Sequence, residues 1–179
     1  MSHVTEVKAA DGTVMEFNDL SALNEAIELG CPQLELVQQS EYRGWKTDYG
    51  KLAGDYPLPA GMTEEEVGKN ATAVIRLKKE FLPAACHGKR DSGPYEIGIV
   101  ANKDKPGTYK PVVDFFAQGN GLFNAPGVGK VVGSHGEGAM SELYMYYQMS
   151  LVKREAQRRG QQFTATRQSD GSYVGRIRA

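Results

Sequence analysis

The chain has 179 residues, of which 40% are hydrophobic and 24% are charged, and this balance is typical of one globular domain with a substantial core. Its formal net charge of −1 argues against a general nucleic-acid binder, because such proteins are usually basic. The two cysteines lack a CxxC spacing, which excludes a disulfide scaffold and a structural zinc module. Without a signal-peptide pattern or a long apolar run, the sequence predicts a cytoplasmic protein with no membrane association.

The first residues predict a hairpin, a helix and a short strand. Strands over 3–8 and 13–17 flank Asp11-Gly12, a pair typical of a two-residue turn. A helix then begins at Asp19, whose side chain can cap free N–H groups, and ends at Gly30. Residues 34–37 form the next strand.

Residues 38–70 predict a long irregular segment that is rich in aromatic side chains and glycine. A segment of this length inside a compact domain is often functional. Tyr42, Arg43 and Trp45 combine a cation with rings that can stack on a nucleobase or a sugar, so they are candidate ligand-binding residues. The alternative is that these rings only attach the segment to the core.

Three further strands are predicted over 71–77, 95–101 and 109–116. The polar loop between the last two makes them an antiparallel hairpin. A glycine-rich segment at 119–138 precedes a long helix at 141–159.

The order of these elements predicts a single α+β domain spanning 1–179. In this fold a mainly antiparallel sheet carries two principal helices on one face. The specific expectation is a ferredoxin-like core with added strands.

The long helix is predicted to be apolar on two opposite faces. One face holds Met140, Leu143, Tyr144, Tyr147 and Leu151, and the other holds Met145, Met149, Val152 and Ala156. A surface helix needs only one apolar face. Either the helix is covered on both sides within the domain, or the Met face (Met145, Met149 and Val152) is a homo-oligomer interface, a role for which methionine is well suited.

Asp170-Gly171 predicts a turn between strands over 163–168 and 173–178. With a two-residue loop, residue 167 pairs with residue 174, so Arg167, Arg176 and Arg178 share one face. Planar guanidinium groups bind phosphates and carboxylates through paired hydrogen bonds, which makes this face a candidate anion site. The alternative is an exposed face or edge protected by charge. A shift of one residue in register would separate the three arginines.

No catalytic or metal centre is predicted. Gly127-Val128-Gly129-Lys130 fails the phosphate-loop pattern because Val131 stands where Ser or Thr should bind magnesium. His3, His87 and His135 are scattered, so we expect no metal site and no cofactor. Catalysis stays open, with a phosphodiesterase-like reaction at His87 or His135 as the enzymatic alternative.

Short motifs recur along the chain in a fixed order. They are Met1-Ser2-His3-Val4, Asp19-Leu20-x-Ala22-Leu23 leading to Leu29-Gly30, Gly54-Asp55-Tyr56-Pro57, Tyr95-Glu96-Ile97-Gly98, Val113-Asp114-Phe115-Phe116, Arg154-Glu155-Ala156, Gly160 and Asp170-Gly171-Ser172. Together they resemble the domain of unknown function twelve-fifty-seven family, which includes the hypothetical chloroplast reading frame thirty-five product and has bacterial and tailed-phage members. The resemblance spans nearly the whole chain, with additions near 9–17, 78–92 and 124–138. It implies no activity and no catalytic residue, while its phage members imply a role directed at a host.

Two kinds of function fit these features. The first is a non-enzymatic, oligomeric binding protein that holds a small anionic, nucleotide-derived ligand, and in a phage it would sequester a host immune signal. The second is a protein-interaction or assembly factor that docks through the Met face and the aromatic segment.

Overall fold

The computed structural model describes residues 4–6, 15–38, 71–81, 96–114, 140–170 and 172–179. Its elements, in chain order, are β1 (Val4–Glu6), α1 (Leu20–Gly30), β2 (Leu34–Gln38), β3 (Ala73–Leu77), a short 3-10 helix (Lys79–Phe81), β4 (Ile97–Ala101), β5 (Tyr109–Asp114), α2 (Ser141–Arg158), β6 (Gln162–Arg167) and β7 (Tyr173–Arg178). Their order confirms the α+β class and most of the predicted boundaries to within one or two residues.

Strands β2 to β5 form an antiparallel sheet in consecutive order, and the short β1 extends it beside β5. Leu34 lies opposite Leu77, and Ala73 lies opposite Ile99. The predicted hairpin of β4 and β5 is confirmed by their antiparallel pairing. Each strand from β2 to β5 pairs with its neighbour in sequence, and a ferredoxin-like order is not shown by the described strands.

The predicted N-terminal hairpin is only partly described. Its first strand is represented by β1, which pairs with β5, and its second by Phe17, which forms an isolated bridge with Tyr109 of the same strand. The two described parts therefore both contact β5. The turn at Asp11-Gly12 lies outside the described residues.

Both helices pack on one face of the sheet. Alternate strand residues such as Ile75, Ile97 and Ile99 point to this face and are fully or almost fully buried. They pack against Leu23 and Ile27 of α1. They also pack against Met140, Leu143 and Tyr147, which lie in α2 or directly before it. The opposite face of the sheet is also buried, at Val74, Val100 and Val112. Two buried faces explain why these strands are almost continuously apolar.

Side chains of α2 fix the beginning of α1. Asp19 caps α1 as predicted, because its Oδ1 accepts from the backbone N–H groups of Ser21 and Ala22, each at 2.9 Å. The Tyr147 hydroxyl donates to Asn18 Oδ1 at 2.6 Å and accepts from the Asn18 N–H at 2.8 Å. Burial raises the pKa of Tyr147, so the phenol stays protonated in this role.

Within the described parts of the chain, no helix is both long enough and apolar enough to cross a membrane.

Candidate functional site

The C-terminal hairpin differs in register from the sequence-based expectation. Arg167 lies opposite Tyr173, and Thr166 lies opposite Val174. The Gln168 N–H donates to the Ser172 carbonyl at 2.8 Å, so the connection holds residues 169–171 instead of two residues. The prediction that residue 167 pairs with residue 174 is therefore wrong by one position.

This register divides the three candidate arginines between two faces. Residues directly opposite each other in an antiparallel pair point to the same side. Arg176 and Arg178, which lie opposite Thr164 and Gln162, therefore share one face of the hairpin. Arg167 points to the other face. The predicted three-arginine face is wrong, and a two-arginine face takes its place.

The face that carries Arg176 and Arg178, here called the outer face, is open to solvent. Its six residues are all exposed: Gln162, Thr164, Thr166, Val174, Arg176 and Arg178. Among the residues that the structure describes, no carboxylate pairs with Arg176 or Arg178. The outer face therefore presents two guanidinium groups that have hydroxyl and amide neighbours and no described carboxylate partner.

The opposite, inner face packs against α2. Phe163 and Tyr173 are its partly buried anchors, and the Phe163 ring crosses Gly175 so closely that a Cβ there would lie 2.8 Å from it. Tyr173 meets Tyr146 of α2 edge-on, and their hydroxyl oxygens are 2.9 Å apart. These contacts hold the hairpin along α2, so its outer face points away from the core.

Arg167 belongs to this docking contact. Its guanidinium carbon lies 5.9 Å from the centre of the Tyr173 ring, within the range of a cation–π interaction. Its Nη2 lies 3.8 Å from a carboxylate oxygen of Glu142 at the start of α2. Arg167 thus has two partners on the protein itself, which makes it a weaker candidate for a ligand than Arg176 and Arg178.

The Tyr146 hydroxyl is the most perturbed titratable group of the docking contact. The hydrogen bond with Tyr173, reinforced by burial, raises the pKa of Tyr146 to about 12. At neutral pH the Tyr146 hydroxyl keeps its proton, and one of the two hydroxyls donates to the other. We call this hydrogen-bonded pair, which joins α2 to β7, the Tyr146–Tyr173 clasp.

The three candidates of the aromatic segment, Tyr42, Arg43 and Trp45, lie outside the described residues. Their role as partners of a stacked base stays a prediction. The candidate histidines His87 and His135 lie outside as well.

The predicted Met face is unevenly covered. Met145 and Met149 are half-buried and pack against the main core, whereas Val152 is 42% exposed. Beside Val152 lies Ile177 of β7, which is 51% exposed, and both line a groove of about 310 Å³. The accessible apolar surface on this side of α2 is thus centred on Val152 and Ile177.

Arg154 is an important residue that the sequence did not reveal. Its guanidinium Nη1 donates to Asp19 at 3.0 Å, while Nη2 donates to Glu25 at 2.7 Å and to Ser21 Oγ at 2.6 Å. It therefore joins α2 to the first turns of α1. In the sequence Arg154 appears only in the short motif Arg154-Glu155-Ala156, and the crossing of the two helices is needed to show its partners.

The described residues contain no group of three or more His, Cys, Asp or Glu side chains placed to hold a metal ion. Their one cysteine, Cys31, is buried, and burial raises the pKa of its thiol. A raised thiol pKa disfavours the reactive thiolate.

No family model matches the chain, and neither does any curated protein or solved structure.

Proposed function

We propose that the protein binds a small anionic, phosphate-bearing ligand on the outer face of the C-terminal hairpin without converting it. One observation carries this proposal: Arg176 and Arg178 are exposed on the same face, two positions apart, with no acidic partner among the described residues. Strand geometry separates their backbones by about 6.6 Å. Each planar guanidinium can form paired hydrogen bonds to a phosphate or a carboxylate.

The neighbouring side chains favour a ligand with more than one polar group. Thr164 and Gln162 lie opposite the two arginines and offer a hydroxyl and an amide as further hydrogen-bond donors. The hairpin from residue 161 to residue 179 carries three arginines and one carboxylate, so its local charge attracts anions although the whole chain is slightly acidic. A nucleotide-derived ligand fits the two arginines through its phosphates, while stacking of its base on Tyr42 or Trp45 stays a prediction from the sequence.

The proposal extends to the biological role through the resemblance to a family with tailed-phage members. A protein that holds a nucleotide signal without converting it would lower the free concentration of that signal. In an infected host such a protein would sequester an immune signal, and the protein would work in the host cytoplasm.

The test is to identify what the protein carries and what it binds. Protein purified from its native setting is heated, and the released small molecules are identified by mass spectrometry. Purified protein is then titrated calorimetrically with cyclic dinucleotides and ADP-ribose derivatives. A phosphate-bearing molecule that is released unchanged and binds again supports the proposal. Release of no such molecule, with no heat from any titrated compound, contradicts it, and conversion of the ligand during incubation would indicate an enzyme.

A second candidate function is assembly through the accessible part of the Met face. Val152 and Ile177 line the same groove and are 42% and 51% exposed, so they form an accessible apolar patch on this side of α2. We propose that this patch contributes to a homo-oligomer or to docking of an assembly partner. Met149 is a poor probe of the patch, because it packs against the core and a charged substitution there would also destabilise the fold.

Val152→Asp is the appropriate variant, measured by light scattering. A shift from oligomer to monomer supports the second candidate. Val174→Asp is the matched control, because Val174 is 43% exposed but lies on the outer face of the hairpin. A wild-type protein that is monomeric at high concentration contradicts a homo-oligomer.

A further inference from the structure

A groove lies between α1 and β6, on the side of the hairpin away from β7. Leu29 of α1, Met149 of α2, and Phe163 and Ala165 of β6 form most of its apolar lining, and its volume is about 330 Å³. Strand β7 lines a different groove, through Ile177. The edge of β6 that does not pair with β7 therefore faces the groove between α1 and β6.

This edge of β6 is open in the described chain. Within the described residues the hairpin is a sheet of two strands, so the outer N–H and C=O groups of β6 have no strand beside them. Residues Gln162–Thr166 contain no charge and no proline, which are the usual protections of an exposed edge. An unprotected edge beside an apolar groove is the arrangement by which proteins add an extended peptide as a further strand.

The groove is also lined by one strongly exposed apolar side chain and by three charged ones, Glu25, Glu28 and Lys153, of which Glu25 is already paired with Arg154. Leu29 is 64% exposed although it ends an otherwise buried helix face. Glu28 is exposed on the α1 wall, where its only described side-chain partner is Asn24 at 2.9 Å, and Lys153 is exposed on α2. A bound segment would meet an apolar surface with a carboxylate on the α1 wall and an ammonium group on α2.

We propose that this groove binds an extended peptide segment of another protein, which pairs with the free edge of β6. Alternate residues of a strand point to the same side, so three side chains of the segment enter the groove. The central one is apolar and contacts Leu29 and Phe163. A basic side chain on one side of it faces Glu28, and an acidic one on the other side faces Lys153.

The test uses two synthetic peptides in which threonines alternate with three other residues. In the first peptide these residues are Lys, Leu and Glu in that order, and in the second their order is reversed. Fluorescence anisotropy measures binding, and hydrogen exchange locates it. We expect one of the two orders to bind and to slow the exchange of amides in β6. A version with N-methylated backbone amides on the pairing edge should bind at least about tenfold more weakly, because it cannot complete the strand hydrogen bonds.

Matched variants separate the groove from the rest of the hairpin. Leu29→Glu should weaken peptide binding at least about tenfold, because it places a charge against the apolar residue of the peptide. Val174→Glu is the control, because Val174 is 43% exposed but lies on the outer face of the hairpin, and it should leave binding unchanged. Both sites are exposed, so both variants should fold. Glu28→Lys should weaken peptide binding. A peptide whose Lys is replaced by Glu should restore binding to this variant.

Failure of both peptide orders to bind would overturn the proposal. So would equal binding by the N-methylated peptide, an equal effect of Val174→Glu, or Leu29-dependent self-association in place of peptide binding. Because Arg176 and Arg178 point away from this groove, the Arg176→Ala/Arg178→Ala variant should bind the peptide normally. The peptide site and the anion site can therefore fail independently.

Discussion

At the scale of single residues, Gly30 shows how closely α1 approaches α2. A Cβ on Gly30 would overlap the ring of Tyr146, and that ring is held in place by the hydrogen bond to Tyr173. We expect Gly30→Ala to lower the free energy of unfolding by about 1–3 kcal/mol, the usual cost of overpacking. Urea denaturation measures it. In a Tyr146→Ala background the same substitution should cost almost nothing, and an equal cost there would contradict the close contact.

Arg154 gives a second prediction at this scale. Its side chain is only 23% exposed and binds two carboxylates and a hydroxyl near the start of α1. Arg154→Lys should lower the free energy of unfolding by about 1–2 kcal/mol, because a single ammonium group cannot reproduce the hydrogen bonds that the planar guanidinium makes to several partners at once. Arg159→Lys is the control, since its pair with Glu155 is exposed and should contribute less than about 0.5 kcal/mol. Equal losses in the two variants would argue against a special role for Arg154.

At the scale of elements, the Tyr146–Tyr173 clasp makes docking of the hairpin depend on pH. The folded state raises the pKa of Tyr146 to about 12, so folding favours the neutral phenol. Its stabilisation is complete below the ordinary tyrosine pKa of about 10 and is lost as the pH rises toward 12. Absorbance titration should show raised pKa values for Tyr146 and for the buried Tyr147, and in Tyr173→Phe only the pKa of Tyr146 should return toward the ordinary value. An unchanged titration in Tyr173→Phe would contradict the clasp.

The same hairpin shows what the sequence could and could not predict. The limits of β7, the turn region and the cap at Asp19 follow from local patterns and are confirmed. The predicted register of β6 on β7 was wrong by one residue, because the register depends on the length of the loop. Asp170 favours the longer loop, since its side chain accepts hydrogen bonds from both the backbone amide and the hydroxyl of Ser172. Local spacing also gave no sign of the partners of Arg154 or of the groove beside β6, since both arise from the crossing of elements distant in sequence.

At the scale of the whole molecule, the described residues form a helix–sheet core and an attached hairpin. The core buries the large apolar side chains of α1, α2 and the sheet, whereas the hairpin is anchored mainly by Phe163 and Tyr173. We expect removal of residues 161–179 to leave a folded core, with a loss of about 2 kcal/mol from the missing ring contacts. Circular dichroism during thermal unfolding measures this. Complete unfolding of the shortened chain would show that the hairpin belongs to the core.

Binding of an anion by the outer face of the hairpin is tested most directly by calorimetry on two double variants, with the phosphate-bearing ligand that the protein carries. Arg176→Ala/Arg178→Ala should weaken binding at least about tenfold, because it removes both paired contacts to the anion. Arg158→Ala/Arg159→Ala removes the same charge from the end of α2, where the two side chains are 73% and 67% exposed, and should change the affinity by less than about twofold. Equal losses in the two double variants, or full affinity without Arg176 and Arg178, would contradict a binding site on the outer face.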